Sequence, residues 1–143
     1  MISLLTGIDS TASALQAEQT RMDIVAQNIV NAESTHGPNG KPYQRQEVVF
    51  ESVLRAQQAN GDPNSGAQTV QIAHIVKDNR PPRMVYDPTN PSSDKHGMVA
   101  MPDISIPEEM VDMIAASRAY DANIAVVKNA HSIAMQALSI GKH

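Results

Sequence analysis

The sequence predicts an elongated α+β protein whose N- and C-terminal helices pair as an α-helical coiled coil around a small β-rich, loop-rich middle. Three observations carry that prediction. Apolar residues recur at steps of three and four near both ends, which is the period of a helix face. Six of the nine prolines lie between Pro42 and Pro91. Aromatic residues are only 3% of the 143, with Phe50 the single Phe and no Trp. Aromatic side chains supply much of a compact core's buried area, so their scarcity favours a long shape held by Leu, Ile, Val, Met and Ala. The boundaries fall at 1–35 for the first helix, 36–103 for the middle and 104–143 for the second helix.

The first helix runs from Leu5 to Ala32, with Ile8, Ala12, Leu15, Met22, Ala26 and Ile29 as a heptad seam in which Gln19 is the polar exception. A second apolar line through Leu4, Ala14 and Val25 widens the stripe, and Asp9, Glu18, Arg21 and Asp23 lie mostly off it. Asn31 ends the periodic stretch. Ser34, Gly37, Pro38, Asn39, Gly40 and Pro42 then supply turn formers that cannot continue a helix.

In the middle, Gln44–Leu54 contains the β-prone Val48-Val49-Phe50. Thr69–Lys77 alternates Val70, Ile72 and Val76 against Gln71, Ala73 and Ile75, a two-faced strand. The polar stretch Gln57–Gly66 between them reads as a mobile loop. Pro81, Pro82, Pro88 and Pro91 hold the next segment extended around a short Met84-Val85-Tyr86 strand.

The second helix opens at Ser105-Ile-Pro-Glu108, a capping box with proline in the first turn. Glu108, Glu109 and Asp112 suit the positive end of the helix dipole. One seam follows Met110, Met113, Ser117, Tyr120, Ile124, Val127, His131, Ala134 and Leu138. Another follows Val111, Ile114, Ala122, Val126, Ala130, Ile133 and Ala137. A helix apolar on two sides has more than one neighbour to satisfy. Gly141 ends it.

Composition narrows the function classes. The net charge of −4, with no run of Lys or Arg, argues against nucleic acid as a partner. The absence of cysteine excludes disulfides and thiolate metal sites. Met1–Ser10 lacks the basic and apolar parts of a cleavable secretory signal, and runs such as Ile124-Ala-Val-Val127 are too short to insert in a membrane. His36, His74, His96, His131 and His143 share no metal-ligand spacing, so no metal or other cofactor is expected. Glu108, Glu109 and Asp112 are the candidate carboxylates for acid/base chemistry, since positions 108 and 112 share a helix face, yet the dipole already accounts for them. Gly61–Gly66 lacks the Lys and hydroxyl residue of a phosphate loop, and there is no GxSxG serine. The chain therefore reads as an assembly subunit, not an enzyme, with a coiled-coil adaptor or export-associated binding module as the alternative.

Polar residues interrupt the stripes at Asn28, Asn31, Ser117, Arg118, Tyr120 and Asn123. Asn31 fits a helix cap, whereas Arg118 and Asn123 fit register fixing between packed helices. These residues also carry a resemblance. Met22-Asp-Ile-Val-Ala-Gln-Asn-Ile-Val-Asn31 and Ser117-Arg-Ala-Tyr-Asp-Ala-Asn123 resemble the N- and C-terminal signatures of the flagellar axial proteins, the rod, hook and hook-associated subunits. Gly37–Tyr43, Gln46–Phe50, Tyr86–Pro91 and Gly97–Pro102 resemble the short members of the proximal rod. The spacer Ala-Glu-Ser-Thr-His-Gly-Pro after Asn31 is longer than in the general signature and suits those members.

The resemblance implies a non-enzymatic subunit of the rod that crosses the periplasm and transmits torque from motor to hook. It implies other copies and other rod subunits as partners, together with export through the flagellar type III apparatus without a cleavable signal. It also implies terminal helices paired in the inner layer of a tube and disordered before assembly. The assembly interface expected on these grounds comprises Ile8, Leu15, Met22, Asn28, Ile29 and Asn31 of the first helix. From the second helix it takes Met113, Ser117, Arg118, Tyr120, Asn123, Ile124, Val127 and Leu138.

Overall fold

The structure, a computed structural model, describes residues 2–37, 40–55 and 67–140. Along the chain run α1 (Ile2–Val30), β1 (Gln46–Arg55), β2 (Ala67–Lys77), β3 (Arg83–Tyr86), β4 (Met98–Met101) and α2 (Ile106–Ile140). The class is the expected α+β, with a helix at each end. The polar loop expected at 57–66 lies outside the described residues, as do Pro38, Asn39 and Gly141.

α1 and α2 lie antiparallel. Asn28 near the end of α1 bonds Glu109 in the first turns of α2, and Arg21, two turns earlier in α1, reaches Asp112. With 29 and 35 residues, the helices extend about 43 and 52 Å at ~1.5 Å per residue. No helix among the described residues is long and apolar enough to cross a membrane.

The α2 face turned to α1 follows Glu109, Met113, Ala116, Tyr120, Asn123, Val127, Ala130 and Ala134, all buried or half-buried. These positions step alternately by four and three, a helix–helix seam. On α1 the deepest residues are Ala17, Ile24, Val25 and Asn28. The expected seam is thus displaced: Ala12 and Gln19 are exposed, while Ile8, Leu15, Met22 and Ile29 are half-buried. The physical reason is that α1 packs against both strands β1 and β2 as well as α2, so its apolar stripe serves two neighbours and is centred between the lines.

β1 and β2 pair antiparallel from Gln46↔Lys77 to Arg55↔Ala67. The register shifts between Val49 and Phe50, whose partners are His74 and Ile72, so Ala73 is the extra residue of a bulge. This corrects the simple alternation expected for β2. Ile75 pairs with Val48 and Ile72 with Phe50, which puts both isoleucines on one face, since Val48 and Phe50 are two apart. Ser13 ties α1 to this sheet by accepting the Val70 N–H at 3.2 Å.

The expected Met84–Tyr86 strand is β3, and it pairs with β4, which the sequence reading did not mark. Between them Asp94 caps the turn, its carboxylate accepting the N–H groups of His96 and Met98. Gly97 has φ 75°, and a side chain there would meet Tyr86 Cε2 at 3.0 Å. Val99 of β4 and the following Pro102 are fully buried.

Helix α2 begins directly after Ser105, as expected, with no side-chain bond of Ser105 or Glu108 closing a capping box among the described residues. Ser105 precedes the first helical residue, and its carbonyl accepts the Glu109 N–H at 3.0 Å. At the end of α1, Asn31 acts as the expected cap, its Nδ2 donating to the Gln27 carbonyl at 2.8 Å.

Candidate functional site

Where the ends of the two helices meet the start of β1, five polar side chains and backbone groups close on one another. Asn28 is fully buried. A buried primary amide has two donor and two acceptor positions to satisfy, and all four are used here. Its Oδ1 accepts from the Tyr43 hydroxyl and the Gln46 N–H, both at 3.0 Å. Its Nδ2 donates to the Gln46 carbonyl at 2.8 Å and to Glu109 Oε2 at 2.9 Å. The side chain of Asn28 thus pairs with the Gln46 backbone as a neighbouring strand would, and it closes that end of β1 against other strands.

Glu109, 1% exposed, is a carboxylate out of water. Such a charge persists only when paired and hydrogen-bonded. Arg45 supplies the pair, its Nε donating to Glu109 Oε1 at 2.5 Å, while Asn28 holds the other oxygen. The first turn of α2 adds the favourable end of the helix dipole. Asp112 lies 3.6 Å from both Arg21 and Arg45, so the ion pairs continue from α1 through α2 to the start of β1.

Burial by itself would lower the Arg45 pKa. The bond to Glu109 and the charges of Glu109, Glu47 and Asp112 outweigh it, and the guanidinium titrates above its ordinary value. The Tyr43 hydroxyl is also raised, first by burial and then by the Glu109 charge. Beside this hub a cleft of about 230 Å³ has Ile24, Val25, Val48 and Phe50 among its lining, with Arg21 and Glu47 beside them.

The residues expected at the assembly interface separate into groups. Asn28 is the centre of the hub. Met113, Tyr120, Asn123, Ile124 and Val127 are half-buried along α2, where α1 is the described element that packs against it. Ile8, Leu15, Met22, Ile29 and Asn31 are half-buried on α1. Ser117, Arg118 and Leu138 are exposed on the single chain. Arg118 therefore does not set the register of α1 against α2; Asn28–Glu109 and Arg21–Asp112 do.

Sequence reasoning missed Arg45 and weighed Glu109 for a dipole or acid/base role, not as a buried partner of another segment. A usable signal existed: Glu109 continues the buried line Met113, Ala116, Tyr120 by one step, which places a charge in a packed seam. The outer side of α2 carries a different feature. Val111, Val126, Ile133 and Ile140 are 66, 52, 59 and 77% exposed. With exposed Ala115 and Ala122 they form an apolar line that α1 does not cover.

Among the described residues no group of three or more His, Asp or Glu side chains is placed to hold a metal ion. His36 Nδ1 lies 3.0 Å from Ser92 Oγ, a contact that fastens the loop before β4 to the segment after α1.

Comparison with known proteins finds matches at both ends and across the whole chain. Residues 8–38 match the family model described as flagella basal body rod protein, and residues 95–140 match that described as flagellar basal body rod FlgEFG protein C-terminal. The first match covers most of α1 and the second covers β4 and α2. The flagellar basal-body rod protein FlgC of Escherichia coli O6:H1 is 36% identical over 141 residues, covering 99% of this chain and all of that protein. The proteins of the same name from Yersinia enterocolitica and Borreliella burgdorferi are 38% and 36% identical, covering 99% and 97% of this chain and 100% and 98% of their own lengths. At this identity over nearly the full length of both chains, the chain belongs to the FlgC family of flagellar basal-body rod proteins.

Proposed function

We propose that this chain is a structural subunit of the bacterial flagellar basal-body rod, placed in the proximal rod, and that it polymerises through its terminal helices. Its neighbours are other copies and other rod subunits, and the assembled rod passes torque from motor to hook. The observation that carries this reading is the exposed apolar line Val111, Val126, Ile133 and Ile140 on α2. Large apolar side chains at helical spacing, left in water along a long helix, mark a surface that another chain covers. The hub suits the mechanical part of the role, because it joins α1, β1 and α2 by charged and fully satisfied bonds at one junction. Export through the flagellar type III apparatus, without a cleavable signal, belongs to the same proposal.

The test is genetic. A strain lacking this chain should assemble basal bodies without a complete rod and should not swim. The wild-type gene should restore both, and the Val126→Asp variant should restore neither although the protein is made. Complete rods and swimming in the deletion strain would refute the reading.

A further inference from the structure

The Asn28 amide has no bonding position to spare, and the three charged or amide side chains of the hub are far apart in the chain. Asn28 and Glu109 are separated by 81 residues, Arg45 and Glu109 by 64. Were α1 and α2 to pair here without β1, Glu109 would lose Arg45, and Asn28 would lose its partners on Gln46 and Tyr43. Were β1 to seat on α1 without α2, Arg45 would lose Glu109 and Asn28 Nδ2 would lose one of its two acceptors. Each half-formed arrangement forgoes charged or buried bonds that only the complete set makes, and leaves their donors and acceptors to water or without partners.

We propose that the Asn28–Arg45–Glu109 hub is a coincidence latch: β1 takes its seat only when the terminal helices pair, and helix pairing at this end is completed only when β1 is seated. The order of the β segment is thereby conditional on the order of the two ends. With unpaired ends, only the direct contacts of α1 with β1 and β2 are left to orient the strands. The register pairs Gln46 with Lys77 of β2 on one edge, while the Gln46 N–H and carbonyl turn to Asn28 on the other. The Gln46 amide therefore reports the latch and not the strand pairing. This inference concerns one chain and stands whether or not the rod reading does.

The test is amide hydrogen exchange on the full-length protein, read at the Gln46 N–H and at the Met113 N–H inside α2, across a series of urea concentrations. The latch requires the two to lose protection together at every concentration. The Ala116→Asp variant supplies a second reading. Ala116 is fully buried on α2 and outside the hub, and a carboxylate there opposes helix pairing without removing any hub bond. Both amides should then exchange faster by a common factor of roughly ten or more. If the isolated chain has unpaired ends, or if Ala116→Asp abolishes pairing, the latch requires Gln46 to be unprotected as well. A protected Gln46 amide in any state in which Met113 exchanges freely would overturn the proposal.

Discussion

The two ends of α2 solve different problems. Its first turns carry a polar anchor on their inner side, with buried Glu109 held by Asn28 and Arg45 and half-buried Asp112 beside two arginines. Its last turns are apolar and exposed, with Ile133, Leu138 and Ile140 between 59 and 77% in water. Burying a charge stabilises little in net terms, but its directional bonds fix one geometry. Apolar surface specifies geometry weakly and gains from any well-shaped partner. The helix is anchored within its own chain on the inner side of its first turns and presents exposed apolar residues along its outer face and in its last turns.

Substitutions should separate the two ends. The largest effect expected is that of Arg45→Met, which leaves Glu109 buried without its cation; urea unfolding should show a loss of about 3–5 kcal/mol. Asn28→Ala comes next, since it strips partners from Glu109, Gln46 and Tyr43, and the same measurement should show a loss of about 1–3 kcal/mol. A loss as small as that of an ordinary surface change in both variants would mean that the hub is not what fixes the helix ends.

The pH dependence bears on the same end. Tyr43 has a raised pKa in the folded chain, so its proton is held more tightly there than in the unfolded chain. Its contribution is complete below the ordinary tyrosine value of 10.0 and is lost as pH rises through the raised folded value. Stability should therefore fall in that alkaline window, and less steeply in Glu109→Gln, which removes one cause of the shift. An alkaline profile unaltered by that variant would remove Glu109 from the account of Tyr43.

The open end predicts the smallest change in the single chain. Val126→Asp should alter unfolding by no more than about 0.5 kcal/mol while eliminating incorporation into basal bodies. Ile124→Asp or Val127→Asp, on the half-buried side, should disturb both. Equal behaviour of Val126 and Val127 variants would erase the distinction between the two faces.

What the sequence made legible follows from what is local. The start of α2 after Ser105, the Asn31 cap, the helical period of α2 and the Met84–Tyr86 strand all depend on residues a few positions apart, although the seam of α2 falls one position before the expected Met110, Ser117, Ile124 and His131. β4 escaped notice because Met98-Val-Ala-Met101 is short, holds one β-branched residue, and is a strand by virtue of pairing with β3. The hub escaped for a stronger reason: no periodicity relates positions 28, 45 and 109, and Arg45 lies in a polar stretch between helix and strand. The exact seam of α1 was displaced because two neighbours share one stripe, which the spacing of apolar residues alone does not resolve.

The central claim is that α2 turns a polar lock inward to its own chain and an apolar line outward to another subunit. Density of an intact basal body that resolves side chains tests it most directly. The account predicts Val126 and Ile133 against a helix of a neighbouring subunit, with Glu109 bonded to Asn28 and Arg45 of its own chain. Val126 and Ile133 facing water, or Glu109 paired to a neighbouring subunit, would contradict it.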